Sequence, residues 1–135
     1  MRHYRVLFVC IGNACRSQMA EAFARAYGRD VLIAKSAGLH PTEMVAPATA
    51  KLMSEKNISL DDHAPKGLDV TGTQFDVIVN MSGLPLPGVV SAPVRQWKVE
   101  DPIWLPEERH RQVRDQIENL VRELIGEFRK RRNSR

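Results

Sequence analysis

Cysteine is scarce in this sequence: two residues in 135, Cys10 and Cys15. Two thiols cannot build a disulfide framework or a four-cysteine zinc site. The four histidines (His3, His40, His63 and His110) are scattered without ligand spacing. No metal and no organic cofactor is expected. Long apolar runs are also missing, and none approaches the ~20 residues of a membrane span. The six apolar residues Val6 to Ile11 behind Met-Arg-His-Tyr-Arg are too few for a signal-peptide core, and no small-residue cleavage site follows them. A soluble, cytoplasmic protein without a membrane partner is the expectation. Internal repeats and low-complexity linkers are absent, and 43% hydrophobic with 27% charged residues is ordinary globular composition. This length suits one domain that buries its core unaided.

The formal net charge of +4 misleads, because five of the 20 basic residues lie in the last seven positions: Arg129, Lys130, Arg131, Arg132 and Arg135. The other 128 residues carry 15 basic and 16 acidic side chains, a net of −1. A nucleic-acid partner is therefore not expected. The division that follows is an α/β domain over 1–128 and a basic tail over 129–135, read as a solvated and frayed helix end.

The hydrophobic pattern alternates between element types. Tyr4–Val9 is a continuous apolar run, which suits a strand buried on both faces. Ser17–Tyr27 predicts a helix with Ser17 at its N-cap and Gly28 closing it. Val31–Ala34 predicts a strand, Glu43–Lys56 a helix, Phe75–Met81 and Val94–Val99 two more strands. The Pro/Gly-rich stretch Gly83–Pro93 reads as a loop, and Glu107 to about Phe128 as a long amphipathic helix. The expected fold class is α/β, a single domain with a central, mostly parallel, four-stranded twisted sheet and helices on both faces.

Ligands of open α/β sheets bind beyond the carboxyl ends of the strands. There the first strand runs into Cys10-Ile11-Gly12-Asn13-Ala14-Cys15-Arg16-Ser17 before a helix begins. A loop curling from strand to helix turns backbone N–H groups inward as an anion nest. The helix N-terminus adds orphan donors and a positive dipole. Arg16 offers a planar fork matched to two oxyanion oxygens. Gly12 and Asn13 tolerate the left-handed φ of a tight turn. The same field favours the thiolate of Cys10, a nucleophile in waiting. Ser17 either hydrogen-bonds that thiolate or caps the helix. Taken alone, Cys10 would more often be a buried apolar residue; the company of Gly12, Arg16 and Ser17 argues for catalysis.

Val9 to Ser17, with its Cys-x5-Arg-Ser spacing, resembles the signature loop of the low-molecular-weight protein tyrosine phosphatases, whose fold the thioredoxin-coupled arsenate reductases share. The resemblance makes Cys10 the nucleophile, Arg16 the oxyanion ligand and residues 11–17 (Ile11, Gly12, Asn13, Ala14, Cys15, Arg16, Ser17) the oxyanion loop. The pair Asp101-Pro102 resembles the family's general-acid mark, with Glu100 as a neighbouring carboxylate that confuses the assignment. The resemblance implies in-line attack by Cys10, leaving-group protonation by Asp101 and hydrolysis of a thiophosphate. Trp104 could wall a substrate pocket. Asn13, Glu21 and Ser36 resemble positions that hold the loop, or a monovalent cation, in the arsenate reductases. Cys15 is either a spectator or a trap for oxidised Cys10.

Two activities compete on these residues, with a non-catalytic phosphate-binding module a distant third. The first is hydrolysis of phosphate monoesters, with a phosphotyrosyl protein or a small aryl phosphate as substrate. The alternative is arsenate reduction with an external thiol or redoxin. Several features resemble the reductase branch: Gln18 where phosphatases carry Pro, Arg95-Gln96-Trp97, Val113-Arg114-Asp115-Gln116-Ile117, and no aromatic wall between Gly38 and Met44. Against it, the resemblance calls for two further cysteines after the third strand. This chain has Asn80-Met81-Ser82-Gly83-Leu84-Pro85-Leu86-Pro87-Gly88 there and no cysteine. That relay is impossible as drawn, and with Cys10 alone only release of arsenate as an adduct with an external thiol works; a Cys10–Cys15 disulfide relay is conceivable but strained by the short loop. Phosphatase is the first reading.

Overall fold

A computed structural model describes residues 2–68, 74–88 and 92–134. Seven elements follow in order: β1 (Tyr4–Cys10), α1 (Arg16–Tyr27), β2 (Leu32–Gly38), α2 (Pro47–Ser54), β3 (Val77–Asn80), β4 (Val94–Gln96) and α3 (Glu107–Asn133). The four strands form one sheet in the order β2-β1-β3-β4, and every pairing is parallel. The chain leaves β1 to one side for β2 and returns to its other side for β3. The carboxyl end of β1, at Cys10, is therefore the switch point where α/β sheets open a crevice.

The pleat of β1 divides the core. Tyr4, Val6 and Phe8 face the large cluster that includes Met19, Phe23, Met53, Val121 and Phe128. Leu7 and Val9 face a smaller cluster with Ala37 and Ile78. Among the described residues α1, α2 and α3 pack into the large cluster, and Leu39, Leu68, Phe75, Leu86 and Ala92 pack against the smaller one. Gly28 ends α1 with φ −128°, so it is not a left-handed cap. A Cβ there would lie 2.7 Å from Ile125 Cγ1, and glycine lets α3 approach.

Several boundaries differ from the sequence reading. β2 runs on to Gly38 because Ser36 and Ala37 keep pairing with Phe8 and Val9. The helix expected from Glu43 starts only at Pro47. Ala46 is held extended ahead of the proline, which then takes the first helical position. The segment before it has another task, described below. β3 and β4 are shorter than expected, at four and three residues. Part of the Gly83–Pro93 loop, 89–91, lies outside the described residues, as does Arg135. α3 continues past Phe128 to Asn133. Arg129 forks onto the Asp30 carboxylate at 2.7 and 3.0 Å, Arg132 donates to the Asp30 carbonyl, and Arg131 stacks over Phe128. Those partners fix the last turn. No helix among the described residues is long and apolar enough to cross a membrane.

Candidate active site

Cys10 closes β1, and the chain from Ile11 to Cys15 curls into α1. The loop's carbonyls are bound on the outside. Leu39, His40, Thr42 and Ala46 donate their N–H groups to the carbonyls of Cys10, Ile11, Gly12 and Ala14 at 2.8–3.1 Å. In a trans peptide the N–H points opposite the C=O, so this wrapping aims the loop's N–H edge inward. It also accompanies the late start of α2, since Leu39, His40, Thr42 and Ala46 spend their N–H donors on the loop. Gly38 lies beneath: a Cβ there would sit 2.8 Å from Asn13 N and from Ile11 O. Asn13 takes the left-handed φ of 52° expected of this turn. Gly12 does not, and its value is the close approach of Thr42, whose Cγ2 would be 2.9 Å from an added Cβ.

A cavity of about 150 Å³ opens above the loop, lined by Cys10, Ile11, Gly12, Ala14, Cys15 and Arg16 with His40, Thr42, Asp101 and Ile103. Cys10 Sγ lies 2.9 Å from Ser17 Oγ. Ser17 thus takes the thiol-bonding role and not the cap. Cys15 precedes the first helical residue without a side-chain capping bond. Asn13 Nδ2 donates to Ser17 Oγ at 2.7 Å, and both residues are fully buried behind the loop. Of the expected oxyanion set, Ile11, Gly12, Ala14, Cys15 and Arg16 line the cavity, and the side chains of Asn13 and Ser17 lie behind the loop.

Arg16 begins α1 with its guanidinium buried. Nη1 donates to the carbonyls of Met81 and Val99, the latter at 3.0 Å. Nη2 faces Asp101 Oδ2 at 3.5 Å. The ends of β3 and of the segment after β4 thus aim the fork at the cavity. Asp101 Oδ1 accepts the N–H of Ile103 at 3.2 Å, and the ion pair with Arg16 singles out Asp101 over Glu100, which pairs with Arg109. Trp104 does not wall the cavity: it is 92% exposed, while Ile103 takes the lining position.

Cys15 is a different thiol. Burial pushes it up to about 11, against a hydrogen bond from Thr49 that works the other way. Thr49 Oγ1 is in turn 2.9 Å from Nε2 of His110, whose own value is lowered by burial. Thr49 and His110 were not foreseen. Gln18 was noted only as a branch marker, yet it anchors the loop. Its fully buried side chain donates to Asn13 O and Asn13 Oδ1, both at 3.1 Å, and accepts from His63 Nδ1 at 2.7 Å. A glutamine directly after the loop, at the start of the expected helix, was the available signal. Among the described residues no cluster of three or more His, Cys, Asp or Glu could hold a metal.

A sequence model of the low molecular weight phosphotyrosine protein phosphatases matches residues 5–87. The chain belongs to that family. Within the family its named relatives are mostly reductases. The glutaredoxin arsenate reductase of Synechocystis sp. is 32% identical over 129 residues, 92% of this chain and 98% of that protein. An arsenate reductase solved in its phosphate-binding state superposes with a TM-score of 0.84 at 31% identity, covering 95% of this chain and 99% of the other. A low molecular weight protein tyrosine phosphatase from T. tengcongensis reaches 0.76 at 27% identity, covering 92% and 99%. Family membership makes the chain one of these enzymes, and the similarity leans to the reductases ahead of the phosphatase reading.

Proposed function

We propose that this enzyme reduces arsenate, with Cys10 as nucleophile and a thiol from outside the chain as reductant. The observation that carries the reading is the cavity itself: about 150 Å³, floored by the loop and Arg16, with no phenyl or indole ring in its lining. It suits a bare tetrahedral oxyanion better than a phosphotyrosyl ring, whose apolar face would find no aromatic wall. The relatives' names support the same choice.

In this reading the Cys10 thiolate attacks arsenic in line with a departing oxygen. The S–As bond forms, the As–O bond breaks, and Asp101 delivers the proton with which that oxygen leaves as water. Loop N–H groups and Arg16 hold the remaining oxygens. The next thiol has two targets. Attack on Cys10 Sγ needs approach from behind the sulfur, where Ser17 and the core stand, and Cys10 is only 3% exposed. Attack on arsenic comes from the cavity mouth and is open. The external thiolate therefore takes arsenic, Cys10 leaves as thiolate, and the thiol–arsenate adduct departs. A second thiol attacks the sulfur of the adduct. The S–As electron pair stays on arsenic, which falls from As(V) to As(III). One arsenate and two thiols give one arsenite, one disulfide and one water.

The name of the Synechocystis relative suggests glutathione with a glutaredoxin as the donor to try. Arsenite formation with that pair is expected from the wild type and lost by at least about 10³-fold in Cys10→Ser, as nucleophile deletions behave. Cys10→Ser retaining the wild-type rate contradicts the mechanism.

A further inference from the structure

A second polar cluster lies behind the loop, outside the substrate cavity. Its centre is Glu21, a carboxylate 3% exposed on α1. Glu21 accepts the hydroxyl of Ser36 on Oε1 and pairs through Oε2 with Arg25 at 2.6 Å. Lys66 Nζ completes it, 3.7 Å from Glu21 Oε1 and 3.3 Å from Ser36 Oγ. The backbone of Lys66 does more. Its N–H donates to Asn13 Oδ1 at 3.0 Å, and its carbonyl accepts the N–H of Gly38 at 2.8 Å.

Asn13, Glu21 and Ser36 are the positions whose resemblance suggested a monovalent cation. The residues present do not fit one. Asn13 Oδ1 already accepts from Gln18 and from Lys66 N–H. Both Glu21 oxygens are engaged, and one buried carboxylate already faces two side-chain cations. A free ion would bring a third positive charge into partly buried surroundings, where repulsion is weakly screened. The negative charge is matched without it.

We propose that Lys66 is a positioning residue for the nucleophile, its ammonium doing from within the chain what a bound monovalent cation would otherwise do. The line of support runs from the Lys66 ammonium, held by Glu21 and Ser36, through the backbone N–H of the same residue to Asn13 Oδ1, from Asn13 to Ser17 and from Ser17 to Cys10 Sγ. Lys66 also ties the loop to the end of β2 and to the middle of α1. This holds whichever oxyanion the enzyme uses, so its test reads the thiol and not the turnover.

The test is the rate of Cys10 alkylation by iodoacetamide at pH 7, followed by mass spectrometry, with melting temperature in the same buffers. Wild type and Lys66→Ala are compared at constant ionic strength in potassium, ammonium and choline chlorides. Wild type is expected to give one rate and one melting temperature in all three. Lys66→Ala keeps the backbone bond to Asn13 but loses the ammonium's contacts with Ser36 and Glu21, and is expected to lose about tenfold in alkylation rate in choline, the scale of one lost hydrogen bond to a charged group. Potassium or ammonium should restore it saturably, because the truncated side chain leaves room for the ion. A saturable, potassium-specific rise in the wild type overturns the proposal, and this arm stands even if Lys66→Ala fails to fold. Lys66→Ala matching wild type in every salt also overturns it, as does a loss that neither ion restores.

Discussion

Cys10 and Cys15 line the same cavity, yet only one is placed for chemistry. Cys10 touches the Ser17 hydroxyl and stands beside the Arg16 fork, whereas Cys15 is pushed up to about 11 by burial and bonds to Thr49. Iodoacetamide at pH 7.5 should therefore modify native protein once, at Cys10, and twice only after unfolding; peptide mass spectrometry checks this, and native labelling of Cys15 contradicts it. His110 and His63 supply a pH dependence at the same scale. Burial lowers both, so the folded state resists protonation that the unfolded chain accepts below about 6.5. Their contribution is whole above that pH and is lost as pH falls toward their folded values. Asp30 and Glu55, held at about 2 by Arg129 and Arg111, stay ionised across that window and leave it to the histidines. Urea midpoints should fall between pH 7.5 and 5.5 in wild type and fall less in His110→Asn; equal falls would show that His110 is not responsible. That Cys10, Arg16 and Asp101 belong at one cavity was legible in the sequence because a local spacing carries the first two and the resemblance of the Asp-Pro pair the third. Lys66 and His63 were not, because what they support lies 53 and 45 positions away in the chain. No local pattern reports such contacts.

At the scale of elements, the loop keeps its shape through its neighbours more than through itself. β1 and α1 were legible from an apolar run and a capped amphipathic stretch. The start of α2 was not, because Glu43–Ala46 share the helical periodicity expected to run on to Lys56, while Ala46 is held extended ahead of Pro47 and donates its N–H to the loop carbonyl of Ala14. Tertiary demand overrides propensity there. The same packing makes Gly38 sensitive. A Cβ would come within 3.0 Å of three backbone atoms of the loop, none of which is the yielding end of a side chain. Gly38→Ala should cost about 1–3 kcal/mol by overpacking, lowering the melting temperature by roughly 3–10 °C. Thermal melts of the two proteins decide it, and an unchanged melting temperature means the loop has room the structure does not show.

At the scale of the whole molecule, an all-parallel sheet with its switch point at β1 brings together residues from four places. Cys10 and Arg16 come from the strand–helix turn, Met81 and Val99 carbonyls from the far strand ends, Asp101 from the segment after β4, and the loop's outer wrapping from the β2–α2 connection. The sequence pattern foretold the sheet and its active edge, but not how small a cavity the β2–α2 connection leaves there. On the proposed reductase reading, a chain with two cysteines, one of them the buried Cys15, takes its electrons from an external thiol. The most direct test compares one enzyme preparation on two substrates. Arsenate with glutathione and glutaredoxin is followed by arsenite and glutathione disulfide; p-nitrophenyl phosphate, without thiol, is followed by release of nitrophenolate. We predict one disulfide per arsenite and a kcat/KM for arsenate about a hundredfold above that for the aryl phosphate, the scale on which a poorly walled pocket discriminates. Efficient hydrolysis of the aryl phosphate with no arsenite formed would contradict the reductase reading and return the enzyme to the phosphatases.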